Sequence, residues 1–544
     1  MSSADDKPGR LERTAAQIEQ TRALFGASSF AIGISCKGER AFKAYGYANR
    51  GAQRVPDENT IYMMGSCTKA FTSTMLTRFA SKGQIDLDAP VSSTLPGLDT
   101  KSNSDVSKKM TARDMLSHNS GLNQLAYTVQ GKGEEVFQKH EDIMNVFNHL
   151  PKVAEFRSEW RYNNWLFALA GVVLVHISGK SVGACAKDEI FSELGMNRSS
   201  FTYPTDENYA VPYQIFDDKP PRPLPLPAFG DGDAFDSSGS SRSCVRDMLT
   251  WAGALMLAWN ARSPGTEGRP SPWARDLQTA MAEIQKPYFT LANDPKQAYA
   301  MGLYTYHLPT REINTVTNGD LNTVPYVLGR ESTERLMIGH TGDYGGFLSA
   351  YWTFPQDEIA VVVLCNSFEI NGDPTNIVAQ IIMQEIFDLK PRIDLVNVAE
   401  TVVLNAKARW TTLVNDWTRN RQLGTKPRPA QSYVGAFTNT GLSMTLHISF
   451  TCENASGGGD EAMILSINGL EAQTFQLYHY HHNSWSFLPK SRDDCISQGY
   501  TAYISDWKCF VVDFSAFAEG RFDELSWVLD SDPRVTPTVF KRVD

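Results

Sequence analysis

Apolar and polar positions recur with two different periods along this chain, and the changes of period mark its elements. Residues 10–26 repeat with helical spacing. Phe30-Ala31-Ile32-Gly33-Ile34-Ser35 and Phe42-Lys43-Ala44-Tyr45-Gly46-Tyr47 are β-rich runs parted by Lys37-Gly38-Glu39-Arg40, which predicts a hairpin. Helical spacing returns from Ser66 to about Lys82, from Thr111 to Ser117 ahead of the turn residues Asn119-Ser120-Gly121, and from Asn164 to Ile177, stopped by Ser178-Gly179. Val245 to Trp259 reads as one more helix, and Arg262 to Pro272, rich in Pro, Gly and Ser, as an exposed loop. Phe347 to Phe354 and Ile359 to Cys365 are strands joined by Pro355-Gln356-Asp357-Glu358, and a helix follows from Thr375 to Phe387. Mixed strands and helices in this order predict an α+β domain whose first and last strands share one sheet.

The pattern changes after Arg392. A helix from about Val396 to Trp417 runs into Lys426-Pro427-Arg428-Pro429, a natural boundary, and beyond it come short β-type segments such as Ser443–Ser449, Ala462–Ile467, Thr501–Ile504 and Phe510–Phe514. Short strands repeated at this spacing predict a sandwich or small barrel. A chain of 544 residues is in any case too long for one core. The expected division is an α+β domain over 1–392, a helix and linker over 393–430, and an all-β domain over 431–544.

Composition narrows the function classes. With 42% hydrophobic and 21% charged residues the chain is an ordinary globular one, and a net charge of -10 without a dense Lys/Arg tract argues against nucleic acid or anionic lipid as partner. Met1 to Arg13 is polar, unlike a secretory signal, and no apolar run approaches the ~20 residues of a membrane span, so the expectation is a soluble cytoplasmic protein. Eight widely spaced cysteines without a C-x-x-C pair predict neither a disulfide framework nor a zinc site. The cluster His479-Tyr480-His481-His482 reads as strand decoration, and no metal or cofactor is expected.

Candidate chemistry centres on Met64-Gly65-Ser66-Cys67-Thr68-Lys69. Ser66 and Lys69, three residues apart at a helix start, share one face, whereas Cys67 turns about 100° away. A serine hydroxyl needs a base, and a lysine with an ordinary pKa of about 10.4 serves only when desolvation or nearby positive charge lowers it. The helix N-terminus also leaves the Ser66 amide free to donate to an oxyanion.

An isolated S-x-x-K is a weak signal, and its context makes it specific. The extended segment before Ser66, the run Gly83-Gln84-Ile85-Asp86-Leu87-Asp88-Ala89-Pro90, and Thr111 through Leu122 with its Ser117-His118-Asn119-Ser120-Gly121 core follow in order. Trp160-Arg161-Tyr162-Asn163-Asn164-Trp165 and Gly339-His340-Thr341-Gly342-Asp343 come later. Together these resemble the class C β-lactamase-like, penicillin-recognising serine hydrolase family over about residues 10–390, in its H-x-G version. The resemblance implies an antiparallel sheet flanked by helices plus an all-helical region. It also implies Ser66 as nucleophile, Lys69 as its activating partner and Tyr162 of the Y-x-N element as phenolate base or proton relay. Asn164 would hold the substrate carbonyl and Lys69 in register, with His340, Thr341, Gly342 and Asp343 lining the site and the Asp343 amide as second oxyanion donor. The segment from Tyr433-Val434-Gly435-Ala436-Phe437 more loosely resembles the lipocalin-like barrel appended to some D-aminopeptidases, esterases and peptide-cyclising relatives.

Departures from the antibiotic-destroying pattern point to the substrate. The family's β-lactamases usually carry Lys where His340 stands, and a histidine near neutral pH is mostly uncharged. Asp343 adds a carboxylate at the same rim, so a carboxylate-bearing antibiotic is not expected. The expected function is hydrolysis of an ester, thioester or amide in a small-molecule or peptide-like acyl substrate, free or carried on a carrier protein. The alternatives are an acyltransferase, transesterase or peptide cyclase using the same acyl-enzyme, and a catalytically silent binding protein. The polar stretch Arg311 to Glu334 is a candidate substrate rim or a surface insertion. Oligomeric state is left open.

Overall fold

The computed structural model describes residues 7–262, 273–291, 294–311, 313, 318, 326–368, 371–451, 462–499 and 506–543. The loop expected at Arg262 to Pro272, apart from Arg262, the strand at Thr501 to Ile504 and half of the rim at Arg311 to Glu334 lie outside the described residues.

The amphipathic N-terminal stretch is two helices, Lys7–Arg13 and α1 (Ala15–Phe25), interrupted at Thr14 and ended by Gly26 in the left-handed region. The strands β1 (Ser29–Cys36) and β2 (Glu39–Gly46) form the expected hairpin. Then come α2 (Thr68–Ser81), α3 (Asn164–Ser178) and α4 (Val245–Asn260). The sheet is completed by β3 (Phe289–Thr290), β4 (Gln297–Tyr299), β5 (Tyr304–Leu308), β6 (Arg335–Tyr344), β7 (Phe347–Phe354) and β8 (Ile359–Cys365), followed by α5 (Pro374–Ile386) and α6 (Leu395–Asn420).

The eight strands lie in the order β2-β1-β8-β7-β6-β5-β4-β3, every pairing antiparallel. Phe30 of the first strand faces Cys365 of the last, so the two ends of the domain do share one sheet. Side chains alternate across it with period two. Phe30, Ile32, Ile34, Val361 and Val363 pack with α1, α5 and the start of α6, while Ala31, Ala360, Val362 and Leu364 pack with α4 and the helical region. Each Phe, Ile, Val or Leu side chain buried in this way contributes roughly 1.5–3 kcal/mol.

Helix α2 runs through the helical region with every residue from Thr68 to Phe79 buried. Several of its polar positions are bonded: Thr72 Oγ1 donates to the Ser237 carbonyl (2.6 Å), and Arg78 pairs with Asp276 (3.0 Å) and Glu193 (2.8 Å), while the Ser73 and Thr77 hydroxyls are buried without a hydrogen-bond partner among the described residues.

The C-terminal region is a closed antiparallel barrel of β9 (Gly435–Asn439), β10 (Met444–Thr451), β11 (Ala462–Ile467), β12 (Thr474–His481), β13 (Ser484–Ser486), β14 (Val511–Ala518), β15 (Arg521–Trp527) and β16 (Thr538–Arg542), with β16 returning to β9. Closure removes the open edges that a sheet would otherwise expose. Phe475 and Leu477 point inward while Gln476 and Tyr478 point out.

Two devices seat the barrel on the first domain. Helix α6 buries Leu395, Val398 and Val402 against α1 and α5 at one end, and at the other its Trp417 donates to Ser486 Oγ (3.0 Å). The short helix Ala126–Val129 sends Tyr127 into the barrel core, 4.6 Å from the Trp527 ring, while the amides of Ala126 and Tyr127 bond Asp530 (2.9 Å) and the Leu529 carbonyl (3.1 Å).

Candidate active site

Ser66 lies in a 3-10 turn, Gly65–Cys67, that feeds α2, rather than in the helix itself. Gly65 has φ +50°, and a Cβ there would stand 2.4 Å from the Asp343 amide nitrogen; a Cβ on Gly342 would stand 2.0 Å from the Met64 carbonyl and 2.9 Å from the Ser66 amide nitrogen. Two glycines facing each other thus let the serine turn lie directly on β6. Strand β5 stops at Tyr304, opposite Gly339, so the edge of β6 at Thr341 and Asp343 borders the turn instead of another strand. The Ser66 and Asp343 amides are brought side by side. Asp343 itself is partly exposed at the rim.

Lys69 is fully buried and surrounded by acceptors: Nζ lies 3.0 Å from Ser66 Oγ, 2.8 Å from Asn164 Oδ1 and 3.0 Å from the Ser238 carbonyl. It sits over the Tyr162 ring (4.8 Å) and the Phe167 ring (5.4 Å). Burial holds its ammonium well below the ordinary lysine range. The consequence is geometric. A neutral amine has two N–H donors and one lone pair. The Asn164 and Ser238 oxygens only accept, so they take the donors and the lone pair is left for the Ser66 hydroxyl.

Tyr162 donates its hydroxyl to Ser66 Oγ at 2.7 Å. Burial and the neighbouring Tyr304 push this phenol well above its usual value, although the bond to Ser66 pulls the other way. It stands just before the N-terminus of α3, where Asn163 is the helix cap, accepting from the Trp165 amide (2.9 Å) and donating to the Leu122 carbonyl (3.1 Å). His118 brackets the tripeptide from behind. Its carbonyl accepts from Arg161 N (3.0 Å), its Nδ1 accepts from Asn163 N (3.2 Å), and its ring lies 4.4 Å from that of Tyr162. Because Nδ1 is an acceptor the proton of the neutral ring is on Nε2, and burial plus the nearby Lys69 keep the ring uncharged. His118 holds this pose at φ +63°, outside the region a non-glycine residue prefers.

The sequence-derived set is therefore brought together, with two refinements. Asn164 spends its oxygen on Lys69, as expected, but its amide donates to Gln124 Oε1 (3.1 Å), which also accepts from the Asn164 main chain. His340 is buried behind Tyr162 rather than set at the rim. Its Nε2 accepts from the Tyr299 hydroxyl (3.0 Å), its Nδ1 donates to the Thr341 carbonyl, and the Tyr304 ring lies at 4.9 Å. Burial, with Lys69 nearby, lowers its pKa to about 3, so the position that carries lysine in the related β-lactamases is here an uncharged ring. Cys67 points away from Ser66 toward Ser349 Oγ (3.2 Å), and burial raises its thiol to about 12, which leaves it unreactive.

Gln124 and Ser238 were not legible as site residues. Ser238 acts through its carbonyl, which any residue offers, and Gln124 lies two positions past the Gly121-Leu122 run with no spacing to mark it. In the barrel, His479 Nε2 engages the His482 carbonyl (3.1 Å) and His482 Nε2 engages Gln422 (2.8 Å), so these rings serve strand-end contacts.

A serine flanked by a buried lysine and a tyrosine, on a turn docked to a strand edge, is the arrangement the motifs anticipate, and the comparison with known families agrees. The profile described as Beta-lactamase matches residues 12–381. The chain belongs to the Beta-lactamase family. Within it, the chain is 20% identical to a Beta-lactamase of Pseudomonas fluorescens over 67% of this chain and 94% of that protein. It is 27% identical to Esterase EstB of Burkholderia gladioli over 40% of this chain and 59% of the esterase. It is 22% identical to Unguisins hydrolase ungD' of Aspergillus campestris over 47% of this chain, and spans only 49% of that hydrolase. Among solved structures, a class C beta lactamase from Rhodobacter sphaeroides superposes with TM-score 0.54 at 22% identity, over 69% of this chain and 98% of that one. The octameric penicillin-binding protein homologue from Pyrococcus abyssi has TM-score 0.56 at 17% identity over 98% of this chain and all of its own, so its likeness in fold takes in the barrel. This Beta-lactamase-family protein is thus an enzyme of the serine hydrolase type shared by β-lactamases, esterases and penicillin-binding proteins.

Proposed function

We propose that the protein is a serine hydrolase that cleaves an ester or amide in a small, peptide-like metabolite through an acyl-enzyme on Ser66. The observation that carries this reading is the position of Ser66 Oγ, 3.0 Å from a lysine nitrogen whose other neighbours are acceptors and 2.7 Å from the Tyr162 hydroxyl. Neutral Lys69 takes the Ser66 proton as Oγ attacks the carbonyl carbon. The Ser66 and Asp343 amides receive the oxyanion. The phenol, whose ionisation burial opposes, is the relay and not the base: it passes its proton to the leaving group, and the phenolate oxygen takes back the proton that Lys69 removed from Ser66, the two groups being neighbours around Ser66 Oγ. Water then attacks the acyl carbon, and the same groups run in reverse to restore Ser66.

The uncharged His340 and the carboxylate of Asp343 support a substrate without its own carboxylate at this rim. Relatives named as an esterase and as an unguisins hydrolase support hydrolysis of substrates outside the β-lactams. The test is turnover of a p-nitrophenyl ester with and without amines and alcohols as acceptors. Release of free acid at a rate independent of acceptor is expected. Acyl transfer that rises with acceptor concentration would reassign the protein as an acyltransferase, and absence of turnover in any arm would mark a binding protein.

A further inference from the structure

A cavity of about 510 Å³, in the range of small-molecule sites, opens beside Tyr162, and half of its wall belongs to the barrel. The first domain supplies Leu122, Asn123, Gln124, Trp160 and Arg161; the barrel supplies the loop between β15 and β16, from Asp530 to Arg534. Two of these lining residues reach directly into the chemistry. Tyr162 donates to Ser66 Oγ, and Gln124 holds Asn164, which holds Lys69.

The loop is fixed, not draped. Asp530 accepts from the Ala126 amide (2.9 Å) with one oxygen and from the Asp532 amide (2.9 Å) with the other. Asp532 pairs with Arg161 across the domain boundary, and Arg534 bonds Asp532 (3.2 Å) and Glu159 (3.0 Å). At the cavity, then, two guanidiniums meet three carboxylates, those of Glu159, Asp530 and Asp532. Among the described residues that line the cavity, a substrate carboxylate would find no cation without a carboxylate partner of its own and would lie against negative charge. A long hydrocarbon arm would cover these charged groups and strip their water without returning a hydrogen bond. What the wall does offer is polar side chains, those of Gln124, Ser531, Asp532 and Arg534, in a cavity that the rings of Trp160 and Tyr162 also line, which suits neutral amides.

We propose that the barrel loop Asp530–Arg534 is the specificity wall of the active site, holding an uncharged, amide-bearing leaving-group arm of the substrate. The leaving-group side is assigned because the cavity adjoins Tyr162, the residue that delivers the proton to the leaving group. This inference rests on the acyl-enzyme reading above.

The experiment uses the full chain and acetyl esters that all form the same acyl-enzyme, so differences in kcat/KM report only the leaving group. The probes are p-nitrophenyl acetate, O-acetyl-lactoyl-alanine amide, and O-acetyl-lactoyl-alanine with its free carboxylate, each followed by acetate release. The amide is expected to exceed the carboxylate by at least tenfold. In Arg534→Ala and in Ser531→Trp, which fills the cavity, the ratio of amide ester to p-nitrophenyl acetate is expected to fall at least tenfold while thermal unfolding stays within a few degrees of wild type. A ratio that does not move in either variant, or a carboxylate preferred to the amide, overturns the wall. Fluorophosphonate labelling separates the two ways of failing. A wild type labelled on Ser66 whose ratios do not move leaves the acyl-enzyme intact and removes the wall; a wild type that neither labels nor turns over any ester removes the reading beneath it and the wall with it.

Discussion

The two sides of Tyr162 solve opposite electrostatic problems. On the Ser66 side a lysine is buried with acceptor oxygens but, among the described residues, no carboxylate in hydrogen-bonding contact, amid rings that are all neutral: Tyr162, Phe167, His118 and His340. On the cavity side, two guanidiniums are matched by carboxylates at a half-exposed domain boundary. The first arrangement leaves a charge uncompensated so that it is shed, which makes the lysine a base. The second compensates its charges locally, which leaves neutral hydrogen-bonding groups as the selective feature. Burying a cation with a partner would have raised the pKa of Lys69, and leaving the guanidiniums unpaired would have invited anions.

The sharpest way to break this contrast is to remove the lysine nitrogen while keeping its volume. Lys69→Met is expected to reduce kcat for ester hydrolysis by about 10²–10⁴-fold with little change in thermal stability, as steady-state kinetics beside calorimetry will check. A variant that keeps near wild-type kcat would mean the base lies elsewhere. Tyr162→Phe keeps the ring against His118 and deletes only the relay. Its loss should be somewhat smaller, about 10²-fold, and greatest for esters with poor leaving groups, because p-nitrophenolate leaves without a proton. Equal losses on good and poor leaving groups would deny Tyr162 the relay role.

Next in size is His118, which is fully buried and acts by holding residues 161 to 163. His118→Ala is expected to lower kcat by roughly 10-fold through misplacement of the Tyr162 hydroxyl, with KM and the acid limb of the pH profile unchanged. A change in KM alone would place the residue in substrate binding instead.

The smallest effect is on stability. His340 titrates near 6.5 when unfolded and at about 3 in the fold, so the unfolded chain binds the extra proton between those values. By linkage the contribution of His340 is fully present above about pH 6.5 and is lost progressively as the pH falls to about 3. The unfolding midpoint should therefore drop across this window, and the drop should be shallower in His340→Gln, which keeps a neutral polar side chain. Parallel pH profiles of the two proteins by differential scanning calorimetry would show that His340 is not the buried neutral ring.

How much of this was legible in the sequence follows from distance along the chain. The hairpin of β1 and β2, the helices α3, α4 and α5 and the strands β7 and β8 repeat their periods locally, and each forms within a residue or two of where the pattern places it, except that β2 begins three residues early, at Glu39, because Glu39 and Arg40 pair with β1 instead of lying in the turn. Ser66, Lys69, Tyr162 and Asn164 stood out in the sequence because two motifs, S-x-x-K and Y-x-N, name them. The break of the N-terminal helix at Thr14 and the 3-10 turn at Ser66 did not, since both depend on what packs against them. His340 was expected in the pocket, but a strand residue's direction is set by register, and here it turns toward Tyr299 and Tyr304. The barrel's part in the cavity was out of reach altogether, because nothing local ties Ala126 to Asp530 or Arg161 to Asp532.

The central claim is that Ser66 becomes acylated. Intact-protein and peptide mass spectrometry after reaction with a fluorophosphonate, on wild type and Ser66→Ala, tests it most directly. The account predicts one adduct per chain, on the peptide containing Ser66, in the wild type and none in the variant; an adduct on another residue, or none on the wild type, would contradict it.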